Sequence, residues 1–302
     1  MNKATKGLLL TGFAATIWGI AGTFAQYLFS NNLVDPLWIT NIRMFFSGLI
    51  LISYCSFKYG SKVKDILFDG YSAIKIALFG LIGLTSSQLT YYMAINYSNA
   101  GTATVLQYLG PTLIVFYVCV TQRRFPKYAE LIAIALAVSG TFIVATRGNL
   151  NSLSISREAL TWGLLSALAM MTYTVMPGKL IEKWGSAIVN AYAMLFAGTI
   201  LLFIIRPWTY DIVFSFKTVF SIIVIVFLGT AIGYTLYLQG VTDIGPVAAS
   251  TIACIEPISA TICSGLFLNT IFLPIDILGF SLIMISVIIV AISKSRMAKS
   301  QI

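Results

Sequence analysis

Glu256 and Arg43 stand as isolated charges deep inside long apolar runs. A charge within a membrane span costs roughly 2.5–3.5 kcal/mol on insertion scales, so an acid in that position is a functional candidate. Three roles are open to Glu256: a salt bridge to Arg43, carriage of a coupling proton, or contact with an amine on a substrate.

Polar aromatics and amides gather in nearby apolar stretches. Thr104, Gln107, Tyr108 and Pro111 follow i, i+3, i+4, i+7 spacing and share one helix face, which is too polar for lipid. Gln88, Tyr91 and Tyr92 precede them, Tyr234 and Tyr237 occur in the second half, and Trp18 lies about a dozen residues into the first apolar run. Tyrosine rings can sandwich an organic substrate while their hydroxyls fix its polar end. The competing reading of Tyr91, Tyr92 and Tyr237 is an aromatic belt at the membrane interface. Pro111, Pro177 and Pro257 each remove an N–H, freeing the carbonyls of Gln107, Tyr173 and Ala253. In lipid such a carbonyl needs a partner from protein, water or ligand, so a kinked helix faces a neighbour or a cavity.

The chain has no histidine, and Cys55, Cys119, Cys254 and Cys263 form no C-x-x-C pair. Metal, haem and histidine-based catalysis lose their usual ligands, so neither a metal nor a cofactor is expected. The cysteines read as small buried hydrophobes.

The elements that hold these residues follow from composition. Hydrophobic residues make up 58%, charged residues 10%, and mean hydropathy is +0.91, outside the range of soluble domains. A span needs roughly 20 apolar residues to cross about 30 Å of hydrocarbon at about 1.5 Å per residue. The chain divides into ten such segments, approximately 7–29, 37–57, 73–95, 100–121, 129–145, 159–178, 186–205, 218–240, 245–267 and 275–293. The fold class is therefore an all-α integral membrane protein of ten transmembrane helices.

The net charge of +9 has no nucleic-acid reading, because the basic residues form no continuous patch with interleaved aromatics. Instead, Lys3, Lys6, Lys58, Lys62, Lys64, Lys75, Arg123, Arg124, Lys127, Lys179, Lys183, Lys294, Arg296 and Lys299 all fall on one side. Arg147, Arg157, Arg206 and Lys217 fall on the other. Positive residues near span ends resist translocation, so both termini are expected in the cytoplasm of a multi-pass cell-membrane protein.

The two halves echo each other. A shift of 146 lays Gln88 on Tyr234, Tyr91 on Tyr237, Pro111 on Pro257, Glu130 on Asp276 and Ile143-Val144-Ala145 on Ile289-Val290-Ala291. A shift of 150 lays Met44, Phe46 and Gly48 on Met194, Phe196 and Gly198, and one of 151 lays Gly12 on Gly163. Repeats at 1–146 and 155–302, each of five spans, must cross the membrane in opposite senses, which is the inverted-topology architecture of secondary transporters.

Ile17-Trp18-Gly19, Tyr91-Tyr92-Met93-Ala94 running on to Ala103 and Pro111, and Glu256-Pro257 occur in an order that resembles the drug/metabolite transporter superfamily, in the family with two EamA domains. The resemblance covers nearly the whole chain. It implies an exporter of amino acids and related small metabolites with a central cavity between the halves. Members commonly carry a glutamate after the fourth and ninth spans, where this chain has Arg124 and Thr270, so no role is carried over to those positions. The expected partners are a small amino-acid-like substrate and the lipid bilayer, and the expected mechanism is alternating access. The readings from other classes are a membrane-embedded enzyme, which would need a nucleophile, acid pair or metal set in the spans, and a sensor or assembly subunit without transport.

Overall fold

The structure, a computed structural model, describes residues 3–149, 152–245, 249 and 252–299, with side chains described as far as residue 292. All regular structure among them is helical. In chain order the main helices are α1 (Lys3–Ser30), α2 (Pro36–Tyr59), α3 (Gly70–Tyr97), α4 (Ala100–Thr121), α5 (Tyr128–Thr146), α6 (Arg157–Val175), α7 (Ser186–Ile205), α8 (Phe216–Ile244), α9 (Ile255–Leu268) and α10 (Pro274–Lys299). Short helices Lys62–Phe68 and Gly178–Trp184 lie before α3 and after α6.

Local chemistry sets most of the boundaries. Asp35 accepts the Leu37 N–H at 2.7 Å and is followed by Pro36, which opens α2. Asn99, Ser156 and Ser215 accept the N–H groups of Thr102, Ala159 and Thr218, and so start α4, α6 and α8. Glu130 and Asp276 reach back to the N–H groups of Lys127 and Leu273 at 2.8 and 2.9 Å. Gly185 and Gly245, at φ +81° and +83°, end helices in a conformation that favours glycine.

Among the described residues, eight helices are long and apolar enough to cross a membrane, or nine when α6 and Gly178–Trp184, bent by 43°, count as one broken span. That bend falls at Pro177, so the expected continuous segment 159–178 is a broken one. The expected ninth span, 245–267, includes residues 246–248, 250 and 251, which lie outside the described residues. Its described helix α9 has 14 residues. Residues 1–2 and 300–302 of the expected repeats also lie outside the described set.

α3, α4 and α8 also depart from regular α-helix. α4 breaks at Tyr108–Leu109, between Ala100–Gln107 and Gly110–Thr121, so the expected polar face from Thr104 to Pro111 is interrupted. α3 and α8 contain π-helical stretches, Phe79–Leu84 and Val224–Ile232. Each encloses a hydroxyl bond to the carbonyl five residues back, from Thr85 to Gly80 at 2.9 Å and from Thr230 to Ile225 at 3.1 Å.

The helices pack in pairs across the midpoint of the chain. α2 lies along α7, α5 along α10, α1 along α8, and α3 along α6; α9 contacts both α1 and α4. Small residues let backbones approach: a Cβ on Gly48 would lie 2.6 Å from the Leu195 nitrogen, and one on Gly198 would lie 2.5 Å from that of Phe45. Outward faces carry exposed Phe13, Phe46, Phe116, Val138, Phe203 and Ile262, the apolar surface that lipid covers.

Candidate functional site

The polar residues singled out in the sequence come from α1, α2, α3, α4, α8 and α9, and most of them meet in the interior. Gly19 is the reason α1 and α9 touch there, since a Cβ at that position would lie 2.6 Å from the Ala260 nitrogen and 2.7 Å from the Glu256 carbonyl oxygen. This contact sets Trp18 beside the Glu256 turn. The Trp18 ring packs edge-on against Tyr234 at 5.3 Å and tilted against Tyr237 at 5.1 Å. Its indole N–H has no hydrogen-bond partner among the described residues and points towards Gly233, where a Cβ would lie 2.6 Å away. Gln88 donates to the Tyr234 hydroxyl at 3.3 Å.

Glu256 and Pro257 open the described part of α9. Because Pro257 has no N–H, the Ala253 carbonyl has no helical donor, and the Tyr108 hydroxyl lies 2.8 Å from it. The same hydroxyl lies 3.1 Å from Glu256 Oε2. With one proton to donate, Tyr108 serves two acceptors, and the Glu256 carboxylate keeps most of its acceptor capacity. The break in α4 turns Tyr108 towards α9. Gln107, on the same turn, is half-buried and makes no side-chain hydrogen bond among the described residues.

Arg43 reaches inward from α2 and is 8% exposed. Its Nε donates to Thr230 Oγ1 at 2.6 Å, its Nη1 donates to the Tyr92 hydroxyl at 2.6 Å, and its guanidinium lies 5.4 Å from the Tyr92 ring centre. The π-helical stretch in α8 is what presents Thr230 to it. Of the three roles open to Glu256, the direct salt bridge to Arg43 is not formed. The ion pairs among the described residues are Arg124–Glu130, Arg147–Asp276 and Lys183–Asp69. The Arg43 Nη2 group makes no hydrogen bond among the described residues.

Tyr91 and Tyr92 are buried between helices, at 7% and 1% exposure. Thr104 Oγ1 donates to the Ala100 carbonyl at 2.7 Å, so in its 2.9 Å contact with Tyr91 the tyrosine is the donor. Pro111 sits at the start of the second segment of α4, and Pro177 lies at the α6 bend.

Sequence reasoning missed Thr230 and Gln26, and it named Tyr173 for its backbone alone. Thr230 is hidden in an apolar run, where nothing betrays a π-helical register. Tyr173, stacked on Phe79 at 5.9 Å, is legible in the sequence only through its freed carbonyl. Gln26 was findable as the one side-chain amide in the first span. Its Oε1 accepts the Ala100 N–H at 2.9 Å and its Nε2 donates to Thr270 at 2.9 Å, joining α1, α4 and the α9–α10 loop. A separate cavity of about 250 Å³ lies among the ends of α4, α5, α6 and α10, where Arg147 clamps Asp276 through two bonds of 2.7 Å. Among the described residues, no group of three His, Cys, Asp or Glu side chains could hold a metal ion.

The interior therefore offers a carboxylate and a guanidinium without ionic partners among the described residues, walled by tryptophan and tyrosine. Such a set can recognise a small charged organic molecule. The inner membrane transporter YicL of Salmonella typhimurium is 38% identical over 99% of this chain and 100% of its own length. A transporter of Clostridium kluyveri is 26% identical over 89% of this chain and 86% of its own. A crystal structure of 13% sequence identity superposes on 97% of this chain and 99% of its own with a TM-score of 0.65, a likeness of fold. Residues 5–146 and 157–292 each match the EamA-like transporter family, and the chain, a multi-pass membrane protein, belongs to that family.

Proposed function

We propose that the protein is a secondary transporter of small amino-acid-like metabolites, working by alternating access between two inverted five-helix repeats that together supply ten spans. The observation that carries this reading is the Glu256 carboxylate, without an ionic partner among the described residues, held beside Trp18, Tyr234 and Tyr237, with Arg43 equally unpaired in the same interior. Buried charges without ionic partners are costly unless something else compensates them. A substrate ammonium at Glu256 and a substrate carboxylate at the free Nη2 of Arg43 compensate both, and the aromatic rings take the side chain. Gln88, Tyr91, Tyr92, Thr104, Gln107 and Tyr108 complete the site in this reading.

Several features support the repeat. Exchanging α1–α5 for α6–α10 returns the same packing partners: α2 with α7, α4 with α9, α5 with α10, and α1 with α8 as α6 with α3. The offset of 146 that lays Glu130 on Asp276 also lays their hydrogen-bond donors, Lys127 and Leu273, on each other. It carries the π-helical Phe79–Leu84 into Val224–Ile232, and the break at Tyr108 onto Cys254, where helix is also interrupted. Rocking of the two halves about the shared site would expose it to each side in turn. Export, with both termini cytoplasmic, follows from the family resemblance and the loop charges.

The test is flux. Proteoliposomes holding the purified protein are loaded with labelled amino acids, amines and carboxylic acids in turn. Efflux of amino acids above that of empty vesicles is expected. Failure to move any compound, with the protein folded, would remove the reading.

A further inference from the structure

Between α2 and α3 the chain makes a ledge that the transport reading does not use. Val63 and Ile66 of the short helix Lys62–Phe68 are buried in a core cluster shared with Leu180 and Tyr192. Tyr192 donates to the Val63 carbonyl at 2.9 Å, Trp184 donates to Ser72 Oγ at 3.0 Å, and Lys183 pairs with Asp69. The segment is thus bolted to α7 and to Gly178–Trp184, with its outer side fixed in place.

That outer side has two kinds of residue. Phe57 and Phe68 are 94% and 88% exposed, and Leu67 and Tyr71 are exposed beside them. The same segments, 57–75 and 178–184, carry Lys58, Lys62, Lys64, Lys75, Lys179 and Lys183, which outnumber Asp65, Asp69 and Glu182. Among the described residues only Lys183 of these lysines makes an ion pair. Lys58 lies over the Tyr54 and Tyr59 rings and Lys75 over Tyr71, arrangements that hold ammonium groups at an interface without neutralising them.

Free aromatic rings next to unneutralised lysines on a rigid ledge fit a surface that is apolar below and anionic above. We propose that this ledge binds acidic phospholipid: the acyl chains pack on Phe57, Leu67 and Phe68, and the headgroup phosphate is held by Lys62, Lys64 and Lys179. Because the ledge joins α2 and α3 to α7 and Gly178–Trp184, a bound lipid bridges both halves of the chain. The inference rests on the membrane setting and is independent of what is transported.

The test uses the full-length protein in neutral detergent, titrated with phosphatidylglycerol or phosphatidylcholine, with bound lipid counted by native mass spectrometry. Phosphatidylglycerol is expected to bind more than about tenfold tighter at low salt, and the preference should shrink at high salt as charges are screened. Lys62→Gln combined with Lys64→Gln and Lys179→Gln should reduce the preference to less than about threefold. Arg157→Gln with Lys217→Gln, in other loops, should leave it intact. Melting in neutral detergent reports whether the triple variant is folded; if it is not, Lys64→Gln alone is expected to lower the preference. Equal binding of the two lipids, an undiminished preference in the folded lysine variants, or displacement by glycerol phosphate alone would overturn the proposal.

Discussion

At the scale of single residues, Tyr108 is the pivot of the site. Its hydroxyl faces a carbonyl freed by Pro257 and the carboxylate of Glu256, so it fixes the opening of α9 and the position of the acid together. Tyr108→Phe leaves the Ala253 carbonyl unpaired, and a stability loss of about 1–3 kcal/mol is expected in thermal unfolding in detergent. An unchanged melting temperature would show that the bond carries nothing. Asp69, outside the spans, offers a pH test. The Lys183 ammonium, then the Ser72 hydroxyl and N–H, hold its carboxyl down from 3.8 to about 2. A depressed folded-state value means that the contribution to stability is complete above the unfolded value and is lost as pH falls through about 2. Asp69→Asn should therefore flatten the stability profile between those two values relative to the unaltered protein. Glu256 was legible in the sequence because a lone acid in an apolar run is too costly to insert without a role that requires it. Thr230, which accepts from Arg43, was not, because helical spacing assumes 3.6 residues per turn and the π-helical stretch around Thr230 departs from it.

At the scale of elements, glycines decide which helices meet. Gly48 and Gly198 hold matching positions in the two halves of the sequence; in the fold they face each other's helices across the α2–α7 crossing. Adding one methyl at Gly48 forces it against the Leu195 backbone, so Gly48→Ala is expected to cost about 1–3 kcal/mol by overpacking. Gly70→Ala, with nothing within 4 Å, should leave the melting temperature unchanged. Equal effects of the two substitutions would contradict the close crossing. Hydropathy located the eight helices that are long and apolar enough to cross a membrane among the described residues, since long apolar runs between charged loops leave little choice. It missed the bend after α6 and the break within α4, because a span that is interrupted and one that is continuous have the same composition. Pro177 and Pro111 marked both places, yet a proline alone does not say whether a helix bends or stops.

At the scale of the whole molecule, the proposed inverted repeat and the loop charges make one topological statement: Ser61 lies inside and Ser152 outside. In whole cells a membrane-impermeant maleimide should label Ser152→Cys directly and Ser61→Cys only after permeabilisation; the reverse pattern would invert the orientation. Both positions are exposed; Cys55, Cys119 and Cys254 are buried and Cys263 is half-buried, so labelling is compared in a Cys263→Ala background. The internal sequence match says which helices correspond, but it could not say that α2 would lie along α7 or α5 along α10. The central claim is that Glu256 receives the substrate, and amino-acid counterflow in proteoliposomes tests it most directly. The unaltered protein is expected to exchange labelled for unlabelled substrate, and Glu256→Gln, folded and inserted to the same level, to exchange at least about tenfold more slowly, the rate equivalent of about 1.4 kcal/mol. Undiminished exchange by Glu256→Gln would contradict that claim.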